Sequence, residues 1–193
     1  MIVEFILDID RYLLELLNYQ WQHPWLDQIM PIFRNKKTWI PLYFLLLLIV
    51  AKDLRSNTIW VLILIAITLV LSDQISSEWI KKSVERLRPC NRTDLPTLRL
   101  LIDHCGSGFS FTSSHACNHF ALASQLFFIF RNKWPPFIFK GLFIWAALIS
   151  YGQVYVGVHY PFDVLAGAIL GVLIAIFVYS MAKKLNFLQK IAY

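Results

Sequence analysis

Five stretches of this chain run almost without charge: Thr38 to Ala51, Thr58 to Ser72, Ala116 to Phe130, Phe137 to Tyr155 and Val164 to Ala182. A helix crossing the hydrocarbon core of a bilayer needs about 20 residues. The first three stretches are shorter than that and must take in less apolar flanks, the second running on through Glu78 toward Lys82. Transmembrane helices are therefore predicted over 38–51, 58–80, 114–131, 137–157 and 161–183. The segment Val3 to Leu17 has a different pattern. Glu4, Asp8, Arg11 and Glu15 fall at spacings of 4, 3 and 4, one polar stripe on an otherwise apolar helix. This predicts an amphipathic helix over 1–20 lying at the membrane interface. The competing reading is a sixth span that buries the stripe in the bundle.

Composition agrees with the pattern. The chain has 193 residues, 58% of them hydrophobic and 16% aromatic, too apolar for a soluble domain of this length. The expected fold is all-α: an integral membrane helical bundle of five to six transmembrane helices with an N-terminal amphipathic interfacial helix, forming one domain over 1–193. The first charge is Glu4 and no cleavage site follows a short apolar run, so the start does not read as a signal peptide. With five alternating spans, one side holds eight basic residues (Lys52, Arg55, Arg131, Lys133, Lys140, Lys183, Lys184 and Lys190) against one acid, Asp53. Basic residues in short loops mark the cytoplasmic side. Every polar cluster discussed next then lies outside the cytoplasm, as for a multi-pass protein of a bacterial-type cytoplasmic membrane.

Three polar clusters interrupt the apolar chain. In His159-Tyr160-Pro161-Phe162-Asp163 a histidine and an aspartate four apart come together if a helix starts there, and Pro161 suits a first helical position. A carboxylate on one ring nitrogen fixes the tautomer and leaves the other nitrogen free as nucleophile or base. Lys81, Lys82, Arg86, Arg88 and Arg92 follow the second span; taken alone they read as a collar binding lipid headgroups. Ser110-Phe111-Thr112-Ser113-Ser114-His115 opens the third span, and alone it reads as a Ser/Thr helix cap. Together, small hydroxyl residues and N–H groups at a helix start beside a basic cluster describe an anion site.

The three clusters, in order, resemble the motifs of the type 2 phosphatidic acid phosphatase superfamily. Lysine, six residues, then Arg-Pro is matched by Lys81 and Arg88-Pro89. Pro-Ser-Gly-His stands here as Thr112-Ser113-Ser114-His115. Ser-Arg, five residues, His, three residues, Asp is matched at His159 and Asp163, with Gly152-Gln153 in place of Ser-Arg. The resemblance covers about residues 70 to 175. It implies a metal-independent lipid phosphate or diphosphate phosphatase needing no cofactor. His159 would attack phosphorus to give a phosphohistidine, and Asp163 would hold its ring. His115 would protonate the leaving oxygen and then activate water. Lys81, Arg88, Ser113 and the backbone N–H groups of Ser113 and Ser114 would bind the phosphoryl oxygens. The implied partners are a membrane lipid phosphate and the bilayer itself, with no nucleic acid; the oligomeric state is not specified.

The departures from the pattern raise their own expectations. Gln153 supplies neutral donors where the motif has an arginine, so another cation is needed. On a helix Arg86 would lie about 200° round from Arg88 and point away. Arg92 sits in a loop free to fold back, which makes it the expected substitute. The runner-up function is a non-catalytic lipid-phosphate binding or transport protein of the same fold. A zinc site from Cys105, His115, Cys117 and His119 fits poorly, because Cys117 points nearly opposite to the two histidines on a helix; no metal is expected, and His119 reads as a packing residue. Cys90 and Cys105 bracket the loop between the first two motifs on the side open to oxidation, so a disulfide is expected. Gly167 and Gly171, four apart, predict close packing within the bundle rather than dimerisation.

Overall fold

The computed structural model describes residues 1–191, so the end of the predicted 1–193 domain lies outside the described residues. Every regular element among them is helical. The helices are α1 (Ile2–Glu15), α2 (Pro24–Phe33), α3 (Ile40–Leu54), α4 (Thr58–Asp73), α5 (Lys81–Val84), α6 (Ser114–Phe130), α7 (Pro136–Tyr155) and α8 (Pro161–Lys184). Wider turns over Leu16–Gln20 extend α1, and similar turns over Gln74–Ile80 join α4 to α5. Three helical runs are long and apolar enough to cross a membrane: Lys36–Asn91, Pro136–Tyr155 and Pro161–Lys184. The first contains both α3 and α4, which are separated by a tight turn over Arg55–Asn57 where Arg55 takes φ 48°.

The helix boundaries follow local chemistry. Proline sits at the first turn of α2, α7 and α8, where its missing N–H costs nothing. Ser113 caps α6 by accepting the Ala116 N–H, and Lys183 and Lys184 complement the C-terminal dipole of α8. Helix α6 is central, packed on α8, α7 and α4. The largest core cluster joins Val50 and Val61 to Phe130, Trp145 and Ile149. Gly167 and Gly171 let α8 lie directly on α6. A Cβ at Gly167 would run into the Ser113 carbonyl, and one at Gly171 into the Cys117 carbonyl. The outer faces stay apolar: Leu165, Ile169, Leu173 and Ile176 on α8 and Ile40, Phe44 and Leu48 on α3 are exposed, as lipid-facing positions of a membrane bundle are.

Helix α1 carries its charged stripe outward, with Glu4, Asp8 and Glu15 exposed, so the stripe is not buried in the bundle. Its inner face is Asp10, Leu14 and Asn18, again at helical spacing and buried. Helix α2, which the hydrophobic pattern did not predict, follows it and packs on α7.

Candidate active site

The three polar clusters meet at one end of the bundle. The turn from α7 into α8 is closed by Gln153, whose carbonyl accepts the N–H groups of Val158 (3.1 Å) and His159 (3.2 Å). His159 is thereby placed one residue ahead of the α8 cap, and Asp163 lies one turn into the helix. Asp163 Oδ2 is 3.4 Å from His159 Nδ1, accepts the Tyr160 N–H at 2.9 Å, and is hydrogen-bonded by the Ser110 hydroxyl. With Nδ1 turned to the carboxylate, Nε2 is the nitrogen left for another partner. It faces Arg88 Nη1 at 3.1 Å. An arginine has only donors, so Nε2 presents its lone pair to the guanidinium. His159 lies between α7 and α8, and its burial lowers its pKa to about 4 despite Asp163. The ring is neutral at physiological pH, as a nucleophile must be.

Arg88 is anchored by three carbonyls, those of Val158, Gly108 and Ser107. Lys81 donates to the Phe109 carbonyl at 3.1 Å, so the loop 106–109 holds both cations. Ser113 and Ser114 lie at the start of α6, where Ser114 Oγ is 2.7 Å from Ser77 Oγ. His115 stacks on His119 at 6.4 Å, and His119 is itself fixed by the His115 carbonyl (2.7 Å) and the Tyr43 hydroxyl (3.0 Å). His119 thus supports its neighbour through packing. The sulfurs of Cys90 and Cys105 are joined in a disulfide, and Cys117 is a buried free thiol.

Several expectations need correction. The Ser113 N–H does not point into the cradle, because it donates to the Asp163 carbonyl at 2.9 Å and ties α6 to α8. Arg92 does not fold back. Its Nε and Nη2 both donate to Asp94, at 2.7 and 2.6 Å, and its guanidinium holds the Asp94 carboxyl down at about 2. Arg86 does not point away, since the helix ends at Glu85 in a left-handed conformation and the following residues are extended loop. Arg86 instead bridges Asp163 and Asp10 at 2.7 Å each, with its guanidinium over the Tyr160 ring. Asp10 also accepts the Phe162 N–H at 2.8 Å, so α1 buttresses the cap of α8.

Gln153 is fully buried and meets an arginine that the motifs did not point to. Arg34, at the end of α2, donates from Nε to Gln153 Oε1 at 3.1 Å, and its carbonyl accepts from Gln153 Nε2 at 3.4 Å. Neither Arg34 nor Asp10 carries a signal in sequence, because each reaches the site from an N-terminal helix outside the three clusters.

The basic residues sort into two groups. Arg86, Arg92 and Arg99 each hold a carboxylate, whereas among the described residues Arg34, Lys81 and Arg88 form no ion pair. Three half-buried cations, none of them paired with a carboxylate among the described residues, converge beside a neutral histidine, an arrangement suited to a multiply charged anion.

Comparison with known proteins gives the same picture. Residues 57–187 match the model of the PAP2 superfamily. The chain is 35% identical over 187 residues to the lipid A 4'-phosphatase of Bacteroides thetaiotaomicron, covering 95% of this chain and 81% of that protein. It is 30% identical over 184 residues to the lipid A 4'-phosphatase of Porphyromonas gingivalis, covering 93% and 75%. The crystal structure of Aquifex aeolicus LpxE is similar with a TM-score of 0.63 at 25% identity, over 88% of this chain and 93% of that one. With its motifs gathered at one site and its sequence matched along most of its length, this chain belongs to the PAP2 superfamily.

Proposed function

We propose that the protein is a membrane phosphatase that removes phosphate from a lipid phosphate or diphosphate through a phosphohistidine on His159. The observation that carries this reading is the neutral His159, oriented by Asp163, with its free nitrogen against the Arg88 guanidinium. Phosphate oxygens bound by Arg88 and Lys81 would set phosphorus in line with Nε2. A bond forms from Nε2 to phosphorus while the bond to the lipid oxygen breaks, and His115 gives that oxygen its proton. Water then attacks phosphorus, returns a proton to His115, and frees phosphate and His159. The cations are fixed before the reaction, so charge that moves onto the phosphoryl oxygens meets donors already in place.

A lipid substrate is supported by a groove of about 740 Å³ between α3, α4 and α6. Leu46, Val50, Leu69 and Leu126 line it, and Lys36 and His119 stand at its polar end, next to His115. A headgroup in the cradle would leave its chains beside this groove. With five membrane crossings, and α1 and α2 at the surface, the cradle would lie on the side opposite the basic short loops. The disulfide lies at the same end of the molecule, which fits an oxidising compartment and action at the outer face of the cytoplasmic membrane. The two relatives named above make lipid A the first substrate to try.

The test is phosphate release by the purified protein from lipid A, undecaprenyl diphosphate, phosphatidylglycerol phosphate and phosphatidic acid. His159→Ala and His115→Ala are each expected to abolish turnover while the protein stays folded, and chelators should leave the rate unchanged. Substantial activity in His159→Ala would rule out the phosphohistidine route.

A further inference from the structure

We infer that Arg34 is a phosphate-binding residue of this site, with Gln153 as the residue that positions it. This rests on the phosphatase reading for its substrate, and on geometry for its residues. The side chain of Arg34 is partly buried and, among the described residues, holds no carboxylate. It stands within electrostatic reach of Arg88 and His115, and both its burial and the like charge of Arg88 lower its pKa. A cation placed against another cation in a partly buried site costs free energy unless an anion joins them. Its Nε is occupied by Gln153, which among the described residues leaves both terminal nitrogens of the guanidinium without a hydrogen-bond partner and fit to grip two oxygens of one phosphoryl group.

The neighbouring residue supports the same arrangement. A Cβ at Gly152 would stand 3.2 Å from the Arg34 Cβ and 3.5 Å from the Met30 carbonyl. Gly152 therefore lets the end of α2 approach α7 closely enough for Arg34 and Gln153 to exchange two hydrogen bonds. At position 153 an arginine would bring its own charge, whereas a glutamine accepts from an arginine arriving from elsewhere. The cation missing from the third cluster is supplied in this way by α2, which precedes all three clusters in the chain.

Two readouts test this, phosphate release from the lipid panel and the rise in thermal midpoint that inorganic phosphate gives the purified protein. Removing one such donor typically costs a factor of about 10² to 10³ in rate. Arg34→Ala should lower kcat/KM by about that much and weaken the phosphate-induced shift at least tenfold in concentration, while Arg92→Ala changes neither. Gln153→Ala should weaken phosphate binding in the native background and add nothing in Arg34→Ala, a non-additivity expected of two groups acting as a unit. The double variant Arg34→Ala with Gln153→Arg should recover part of both losses, which a merely misfolded protein would not do. Wild-type activity with Arg34→Ala within threefold of it overturns the assignment and leaves the phosphatase reading standing. A wild-type protein that binds phosphate through Arg34 but hydrolyses no lipid supports the assignment and sinks the phosphatase reading. No phosphate binding at all overturns both.

Discussion

His159 and Asp163 sit four residues apart on a helix start, and that spacing alone brings an imidazole to a carboxylate. The ring is nearly all buried, and burial outweighs the carboxylate, so the pKa falls from 6.5 to about 4. A prediction follows for the acid side of the pH profile. Between 6.5 and about 4 the folded protein keeps His159 neutral while an unfolded chain would protonate it. The proposed nucleophile therefore stays neutral below the usual imidazole range, and the acid limb of kcat/KM assigned to His159 should lie nearer 4 than 6.5. The same linkage makes the stability due to this group complete above pH 6.5 and lost as the pH falls from there to about 4. An acid limb at 6.5 that vanishes in no His115 variant would contradict this picture. His159, Asp163, Lys81 and Arg88 are legible in the sequence because each belongs to a short pattern of fixed spacing. Asp10 and Arg34 are not, since nothing near them in sequence encodes that α1 and α2 fold onto the cap of α8 and the end of α7. Arg86 departs from its expected direction for a related reason: a helical angle applies only while the helix lasts, and it ends at Glu85.

At the scale of elements, the apolar runs were readable as helices, and each of the five predicted segments holds one: α3, α4, α6, α7 and α8. Their ends shift by a few residues where caps rather than hydropathy decide, as where Pro136 starts α7 and Pro161 starts α8. Helix α2 escaped the hydrophobic pattern because it is only ten residues long and carries Pro31 inside it. The contact between α6 and α8 was legible in Gly167 and Gly171, and it has a functional side. Gly167 lies against the carbonyl of Ser113, the cap residue of α6, and the Ser113 N–H is bonded to Asp163. Any side chain there must push the start of α6 away from His159. We expect Gly167→Ala and Gly171→Ala each to cost about 1–3 kcal/mol, the usual range for overpacking, read as a lower thermal midpoint in detergent. Gly167→Ala should also lose phosphatase activity, because it moves the cradle, whereas Gly171→Ala, a turn deeper, should lose mainly stability. Equal activity losses in the two would show that the α6 start is not positioned by this contact.

The whole molecule is organised around one long loop between α5 and α6 that closes over the end of the bundle. It is tied to the N-terminal helices by Asn18, which binds the backbone of Arg99 and of Tyr155, and by the ion pair of Arg99 with Asp27. The Tyr155 hydroxyl donates to the same Asp27 at 2.6 Å, so the end of α1, α2, α7 and the loop share one polar knot. Such a knot cannot be read from hydropathy, since its members are single residues scattered over the chain. The Cys90–Cys105 disulfide, whose ends are 15 positions apart, closes the remaining part of the loop. It joins the chain just after Arg88 to the chain just before Ser107 and Gly108, whose carbonyls anchor the Arg88 guanidinium. Closing a loop of about 15 residues is worth about 3 kcal/mol on the chain-entropy estimate. The double variant Cys90→Ser with Cys105→Ser should lose stability of that order and, with Arg88 less firmly held, should lose phosphate affinity as well. Treatment of the native protein with reductant should reproduce both losses, and reoxidation should restore them. If reduction lowers the thermal midpoint but leaves phosphate affinity and kcat/KM intact, the polar knot alone is enough to hold Arg88, and the disulfide serves stability only.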